Sequence, residues 1–451
     1  MSKLRVAPEL IHLQEAPAPA AFPLEPVVPQ VRQQMPALGQ RATRLDSRFH
    51  GLGQTKFIDD LAFPGMLHAK IKRAGVAAAR IRRIDTSAAE AVPGVMAVLI
   101  GAELPVNSFG PSLKDQPVLA HERVFHAGDG VAAVAALTEQ IAREALERIV
   151  VDYEPLAAVL DPLEALREDA TKVHPPASNV YAHKVIRKGD VERAMAQSDR
   201  VFEGRYRTQM VEHVSLEPHA AIAQWDANGR VTIYSTLGRI TLGRADIARV
   251  LRLPVNRIRV VATTVGGNFG GKNEITQEPV LALLAKKTGR AVKGVFDRTE
   301  EFIATTTRHP IVMDYRTGVR RDGRLLAREV RLVLDGGAYC SWSETTLAKA
   351  CILAAGPYRI DHLRAEAFAV YTNKTMTGAM RGFGAPQVCF AYESQMDEIA
   401  AALGIDPLEI RLLNAFEEGS VSPTGQVLHS VVVKETLREA ALRFGWKEGQ
   451  R

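Results

Sequence analysis

The sequence predicts an α+β fold, and three observations carry that reading. Segments with strand-like alternation and segments with helical spacing are interleaved along most of the chain. The 451 residues are enough for roughly two to four domains, each with its own core. Hydrophobic residues make up 46% and charged residues 24%, the balance of an ordinary globular protein.

Residues 1–40 stand apart. The run "EAPAPAAFPLEPVVPQVRQQMPALGQ" is rich in Pro, Ala and Gln and cannot easily bury a core. It reads either as an extended arm lying on a partner or as a plain tail. A compact α+β domain is expected over 41–165. There "LHAKIKRA" and "GVMAVLI" read as strands, and "TEQIAREALERIVVDYE" as a helix running into a strand. A linker is expected over 166–185, where "EDATKVHPPASNVYAH" reads as a loop. The remainder, 186–451, is strand-rich. "VTIYST" and "EVRLVLDGGAY" alternate in the strand manner, and "NRIRVVATTV" is rich in β-branched residues. "RADIARVLRL" and "TQEPVLALLAKKTG" read as helices, the second stopped by Gly289. "SQMDEIAAALGIDPLEIRLLNA" reads as a helix, a stop at Gly404, an Asp-Pro start and a second helix.

Composition narrows the function. The formal net charge is +6, but the basic residues are scattered apart from short clusters such as "RIRR" (80–83) and "RTGVRRDGR" (316–324). No basic stripe is interleaved with aromatics, which argues against nucleic acid as the ligand. The three cysteines, Cys340, Cys351 and Cys389, form no C-x-x-C, so no iron–sulfur or zinc site is expected from them alone. No disulfide framework is implied, no apolar run approaches a membrane span, and the N-terminus lacks an apolar signal core. A reducing, cytoplasmic location is the expectation.

The chemistry concentrates in glycine-rich stretches. "TTVGGNFGGKNE" (263–274) holds the spacing G-x-x-x-x-G-K from Gly266 to Lys272. A phosphate loop needs a hydroxyl next, and Asn273 stands there instead. A tight turn or bulge also fits. So does close approach of backbone amides to a bulky ligand, with Phe269 the one large side chain among the glycines. A second stretch, "GAMRGFGAPQ" (378–387), again sets bulky groups and an arginine between glycines. Arg381 is a forked, permanently charged donor suited to an anionic oxygen ligand.

Together these stretches resemble the molybdenum-binding subunit of the xanthine dehydrogenase and aldehyde oxidase family, the molybdenum hydroxylases. "GGNFGGK" is similar to that family's "GGGFGGK" loop and "AMRGFGAPQ" to its "AFRGFGGPQ" loop. "VEHVSLEP" is similar to its "QEHxxLEP" stretch, and "DGGAY" and "MDEIAAALGIDPLEIRLLN" also fit. "GLGQTKFIDDLAFPGMLHAKIKRA" and "IDTSAAEAVPGVMAVL" look like the α/β hammerhead domain that precedes the molybdenum domain. The resemblance runs from about 41 to 451. It implies an α/β hammerhead domain followed by the first half of a molybdopterin-binding domain.

By that resemblance, Val211, Gly267, Asn268, Phe269, Gly270, Gly271, Met380 and Arg381 line a molybdenum–molybdopterin cofactor, in the cytosine dinucleotide form. Amides at glycines 267, 270 and 271 are expected to approach the cofactor. Phe269 and Arg381 lie beside the metal without ligating it. Asn273, Lys349 and Phe383 fall at substrate-binding positions. The implied reaction is hydroxylation of an electron-poor carbon of an N-heteroaromatic substrate, with water as the oxygen source. An aldehyde is the runner-up substrate, and a non-catalytic assembly subunit the rival reading. Electrons would leave through 2Fe-2S clusters and FAD on partner subunits.

Several positions depart from the family pattern. Val211 stands where a glutamine is usual, Met380 where a phenylalanine is, Thr236-Leu237 where Thr-Gln is, and Asn273 where purine oxidisers carry a glutamate. No Gly-x-Gly-Glu-like loop with the general base follows residue 414. Either the chain is a fragment, or the molybdenum domain is split between two polypeptides, as in some bacterial nicotinate dehydrogenases of this family, with the glutamate base expected on a second molybdopterin-domain subunit.

Overall fold

Two mixed sheets share the interior of the chain, whose computed structural model describes residues 9–10 and 42–447. Apart from the two-residue strand Glu9–Leu10, the expected arm lies outside the described residues.

The larger sheet has seven strands, in the order Ile258–Ala262, Val231–Ser235, Ala220–Trp225, Val292–Val295, Leu67–Arg73, Gly130–Ala136 and Val95–Ile100. Strand Gly130–Ala136 is nearly all Val and Ala, and Val131 to Ala136 are fully buried. A strand apolar on both sides needs cover on both faces. Helix Glu139–Glu147, capped where the Thr138 hydroxyl accepts from the Ile141 amide (3.2 Å), lays Ala142 and Ala145 on one face. Helix Glu278–Thr288 lays Val280, Leu281 and Leu284 on the other. Gly294 of Val292–Val295 pairs with Ala69 of Leu67–Arg73, so this one sheet joins the earlier part of the chain to the later.

The second sheet runs Glu9–Leu10, Val180–Lys188, His362–Val370, Leu325–Asp335, Ile311–Val319, Arg200–Arg207. Its alternating residues Met313, Tyr315, Leu332 and Leu334 pack under helices Ser343–Leu353 and Ala385–Leu403. A three-stranded sheet (Arg123–Val124, Ala79–Asp85, Val150–Pro155) completes the set.

Three expectations shift. The end of the stretch read as a loop, from Val180, already belongs to strand Val180–Lys188, which pairs with His362–Val370; that long-range pairing leaves no local signal. Helix Ala385–Leu403 begins at Ala385 rather than Ser394, because Pro386 sits in its first turn, where a missing N–H costs nothing. Helix Ile240–Val250 likewise starts a turn before "RADIARVLRL". Gly289 and Gly404 end their helices in the left-handed conformation, as predicted.

The fold positions the two glycine loops. The first leaves strand Ile258–Ala262 at the edge of the large sheet and leads toward helix Glu278–Thr288. The second leads into helix Ala385–Leu403 on the other sheet. They meet where the two sheets adjoin.

Candidate active site

Three segments interlock there: 211–219, 266–274 and 378–384. Lys272 explains the first contact. Its side chain is 1% exposed, and its Nζ donates to the Glu217 carbonyl (2.7 Å) and to Glu217 Oε2 (3.2 Å). The same carboxylate oxygen accepts from the Gly266 amide at 2.7 Å. Burial pulls the Lys272 pKa down, against the opposing pull of Glu217. This lysine is a bolt between two segments, which removes the phosphate-loop reading.

Asn268 shapes the rest of the loop. Its Oδ1 accepts from the amides of Gly270 (2.8 Å) and Lys272 (3.3 Å), and its carbonyl from Gly271 (2.9 Å). Amides 270 and 271, expected to face a ligand, are therefore engaged inside the loop. An Asn side chain mimicking a backbone turn is the physical reason. The amides of Gly267, Asn268 and Phe269 make no hydrogen bond among the described residues. With Gly267 at φ 110°, Phe269 at 51° and Gly270 at 111°, the backbone folds into a concave, donor-lined turn. Phe269 is 51% exposed, and a bulky side chain held at positive φ costs about 1–3 kcal/mol.

Gly270 is where the loops touch. A Cβ there would lie 2.4 Å from the Ala379 carbonyl oxygen and 3.0 Å from Met380 Cα. The Arg381 amide donates to the Phe269 carbonyl at 2.8 Å. His213 braces both loops: its ring packs on Gly271, and its Nε2 donates to the Ala379 carbonyl at 2.8 Å. Buried His219 reaches the Gly271 carbonyl through Nε2 (3.2 Å) and Glu301 through Nδ1 (2.9 Å).

Around this junction Val211, Val214 and Leu216 are exposed, Leu216 almost completely. Val211 pairs through its backbone with Arg308, whose Nη2 donates to the Arg381 carbonyl at 3.0 Å. The Arg381 guanidinium is exposed and has no partner among the described residues. Met380 is half-buried between the loops. Phe383, at φ 49°, is half-buried and presents an edge-to-face contact to Trp342 (6.5 Å, 84°). Asn273 lies on the other side, its Oδ1 3.3 Å from where a Gly238 Cβ would be. Lys349 is exposed on helix Ser343–Leu353, and its side chain makes no hydrogen bond or ion pair among the described residues.

Four residues here escaped the sequence reading: Arg239, Glu274, Ser341 and Trp342. Trp342 follows the noted "DGGAY" closely and is one of only three tryptophans, a signal that could have been used. Arg239 gave none. Glu274 accepts a hydrogen bond from the Ser341 hydroxyl, while its other oxygen, Oε2, is enclosed without a partner. Burial raises its pKa to about 7, reinforced by Asp115 and Asp246 and opposed by the Ser341 bond and Lys114.

The folded-state pKa of Glu274 thus exceeds the ordinary 4.5. Its protonated form favours folding fully at low pH, and that contribution is lost as pH rises through about 7. Glu274→Gln should therefore gain thermal stability relative to the parent as pH goes from about 5 to 8. Melting curves across that range test it; a constant difference would put the carboxyl in water.

Unpartnered amides, a free guanidinium and a projecting aromatic suit an anionic, oxygen-rich cofactor. The chain is a molybdopterin-binding protein: residues 173–415 match the molybdopterin cofactor-binding domain. Residues 52–157 match the a/b hammerhead domain of aldehyde oxidase and xanthine dehydrogenase. The chain belongs to that family, the molybdenum hydroxylases, which are oxidoreductases. It is 39% identical over 405 residues to the large molybdopterin subunit of nicotinate dehydrogenase from Eubacterium barkeri, covering 89% of this chain and 95% of that one. It is 33% identical over 425 residues to the xanthine dehydrogenase molybdenum-binding subunit of Escherichia coli O157:H7, covering 90% of this chain but 56% of the relative. The solved aldehyde oxidoreductase from Desulfovibrio gigas superposes with a TM-score of 0.86 at 31% identity, over 90% of this chain and 46% of that one. The chain thus spans about half the length of these last two proteins.

Proposed function

We propose that this chain is the large molybdopterin-binding subunit of a multisubunit molybdenum hydroxylase. It would hydroxylate an electron-poor carbon of a purine- or nicotinate-like N-heteroaromatic, with water as the oxygen source. The observation that carries this reading is the likeness to the nicotinate dehydrogenase large subunit over 95% of that protein. The Phe383–Trp342 wall supports a flat substrate, since edge contacts hold an aromatic ring in one plane.

Bound molybdopterin supplies the two-electron oxidation, which no side chain here can. The chain's own residues bind and orient. Amides of Gly267, Asn268 and Phe269 would donate to the cofactor's oxygens, and Arg381 would add a charged fork. Phe269 keeps water off one side, and Phe383 holds the substrate ring. Asn273 offers a neutral amide to the ring's polar edge. The glutamate base is assigned to a second molybdopterin-domain subunit, and the 2Fe-2S clusters and FAD to further partners. The cytosine dinucleotide tail and a cytoplasmic location complete the proposal. Among the described residues, no helix is long and apolar enough to cross a membrane.

An aldehyde substrate is the second reading, favoured by the likeness to aldehyde oxidoreductases. Turnover of the co-purified complex in ¹⁸O-labelled water separates the two. Label in a hydroxylated pyridine or purine, with poor aldehyde oxidation, is the expected result. Preferential aldehyde oxidation would move the chain to the second reading.

A further inference from the structure

We propose that Arg239, held over the ring of Trp342, grips the anionic substituent of the substrate, so that the site selects a flat aromatic ring bearing a carboxylate. The inference rests on the reading above for the identity of the site and adds the substrate class.

Two independent contacts hold Arg239 beside the site. Its backbone is tied to the first glycine loop: the Gly238 amide donates to the Lys272 carbonyl at 2.6 Å. Loop side chains also press so closely on Gly238 that a Cβ there would lie 1.9 Å from Asn268 Nδ2. Any larger residue at 238 would push Arg239 away. Its side chain is tied to the second loop, because the guanidinium lies 4.5 Å over the Trp342 ring and Trp342 meets Phe383 edge-on. Arg239 therefore lies between Asn273 on one loop and Phe383 on the other.

A guanidinium stacked on an indole loses only its face. Its N–H groups point outward in the plane, where they match a carboxylate in a fork. The Arg239 side chain is exposed and makes no hydrogen bond or ion pair among the described residues, so no internal carboxylate competes. Arg239 also caps the start of helix Ile240–Val250, eleven residues long with no acidic residue in its first turn. The positive end of that helix adds to the attraction. Lys349, the cation expected from the sequence, has no comparable mooring. A ring packed on Phe383 with its carboxylate on Arg239 would be held at two points.

The test uses the co-purified complex and two probes of the same shape, pyridine-3-carboxylate and pyridine-3-carboxamide. Binding is measured by calorimetry and turnover by steady-state kinetics, in the parent and in Arg239→Gln, Arg239→Lys and Lys349→Met. Arg239→Gln should weaken binding of the carboxylate about 10- to 100-fold and raise its KM, with kcat and carboxamide binding little changed. Arg239→Lys should recover part of the loss, and Lys349→Met should lose less. Equal weakening of both probes, no weakening, or a selective loss in Lys349→Met instead would overturn the assignment. Selective, Arg239-dependent binding without oxidation of either probe would sustain this inference while refuting the proposed reaction.

Discussion

Gly270→Val will leave the complex without molybdenum and without activity, while its far-ultraviolet circular dichroism stays close to that of the parent. The new Cβ would have to occupy space 2.4 Å from the Ala379 carbonyl oxygen, at a residue whose φ is 111°. A β-branched side chain relieves neither problem. Backbone strain and overpacking together come to roughly 2–6 kcal/mol. The cheapest escape is for the two loops to part. That breaks the bond from the Arg381 amide to the Phe269 carbonyl and opens the concave turn at 267–269. The cores of the two sheets do not depend on this contact, so the fold survives. Gly229→Val controls for backbone strain alone, because its φ of 71° is also positive but a Cβ there meets nothing within 4 Å. A metal-replete, active Gly270→Val complex would reduce the loop to an ordinary turn.

Arg381→Ala is expected to lower kcat/KM by about 100-fold or more, or to reduce molybdenum occupancy, with the melting temperature unchanged. Its guanidinium is exposed and unpartnered among the described residues, so the folded chain loses no internal bond when it is removed. Its backbone contacts, to Phe269 and from Arg308, survive truncation. A change confined to stability would show that the side chain serves packing rather than the cofactor.

The sequence made the fold class and the two loops legible for different reasons. Alternation in "VTIYST", capping at Gly289 and the Asp406-Pro407 start are local signals, and local signals survive in one dimension. The loop motifs located the site by resemblance. They did not disclose which donors stay free, because the diversion of amides 270 and 271 to Asn268 depends on how the loop closes. Asn273 after Lys272 already spoke against a phosphate loop, but the lysine's structural partner Glu217, far away in sequence, left no local signal. Arg239 and Trp342 approach each other from separate elements and share no sequence pattern. The pairing of Val292–Val295 with Leu67–Arg73, which merges the earlier and later parts of the chain into one sheet, was invisible for the same reason.

In the function proposed above, this chain would supply one side of a molybdopterin site and a second subunit the other. Around the loops, Val211, Val214, Leu216 and Phe269 leave apolar surface open to water, as an interface awaiting cover would. The most direct measurement is the molybdenum-to-chain ratio after expression under molybdenum-replete conditions. It is taken once for the chain alone and once for the chain co-purified with the products of its neighbouring reading frames. Metal-free chain alone and stoichiometric molybdenum in the complex is the expected result. A soluble single chain that carries stoichiometric molybdenum and oxidises substrate would contradict the account and place the missing base within these 451 residues.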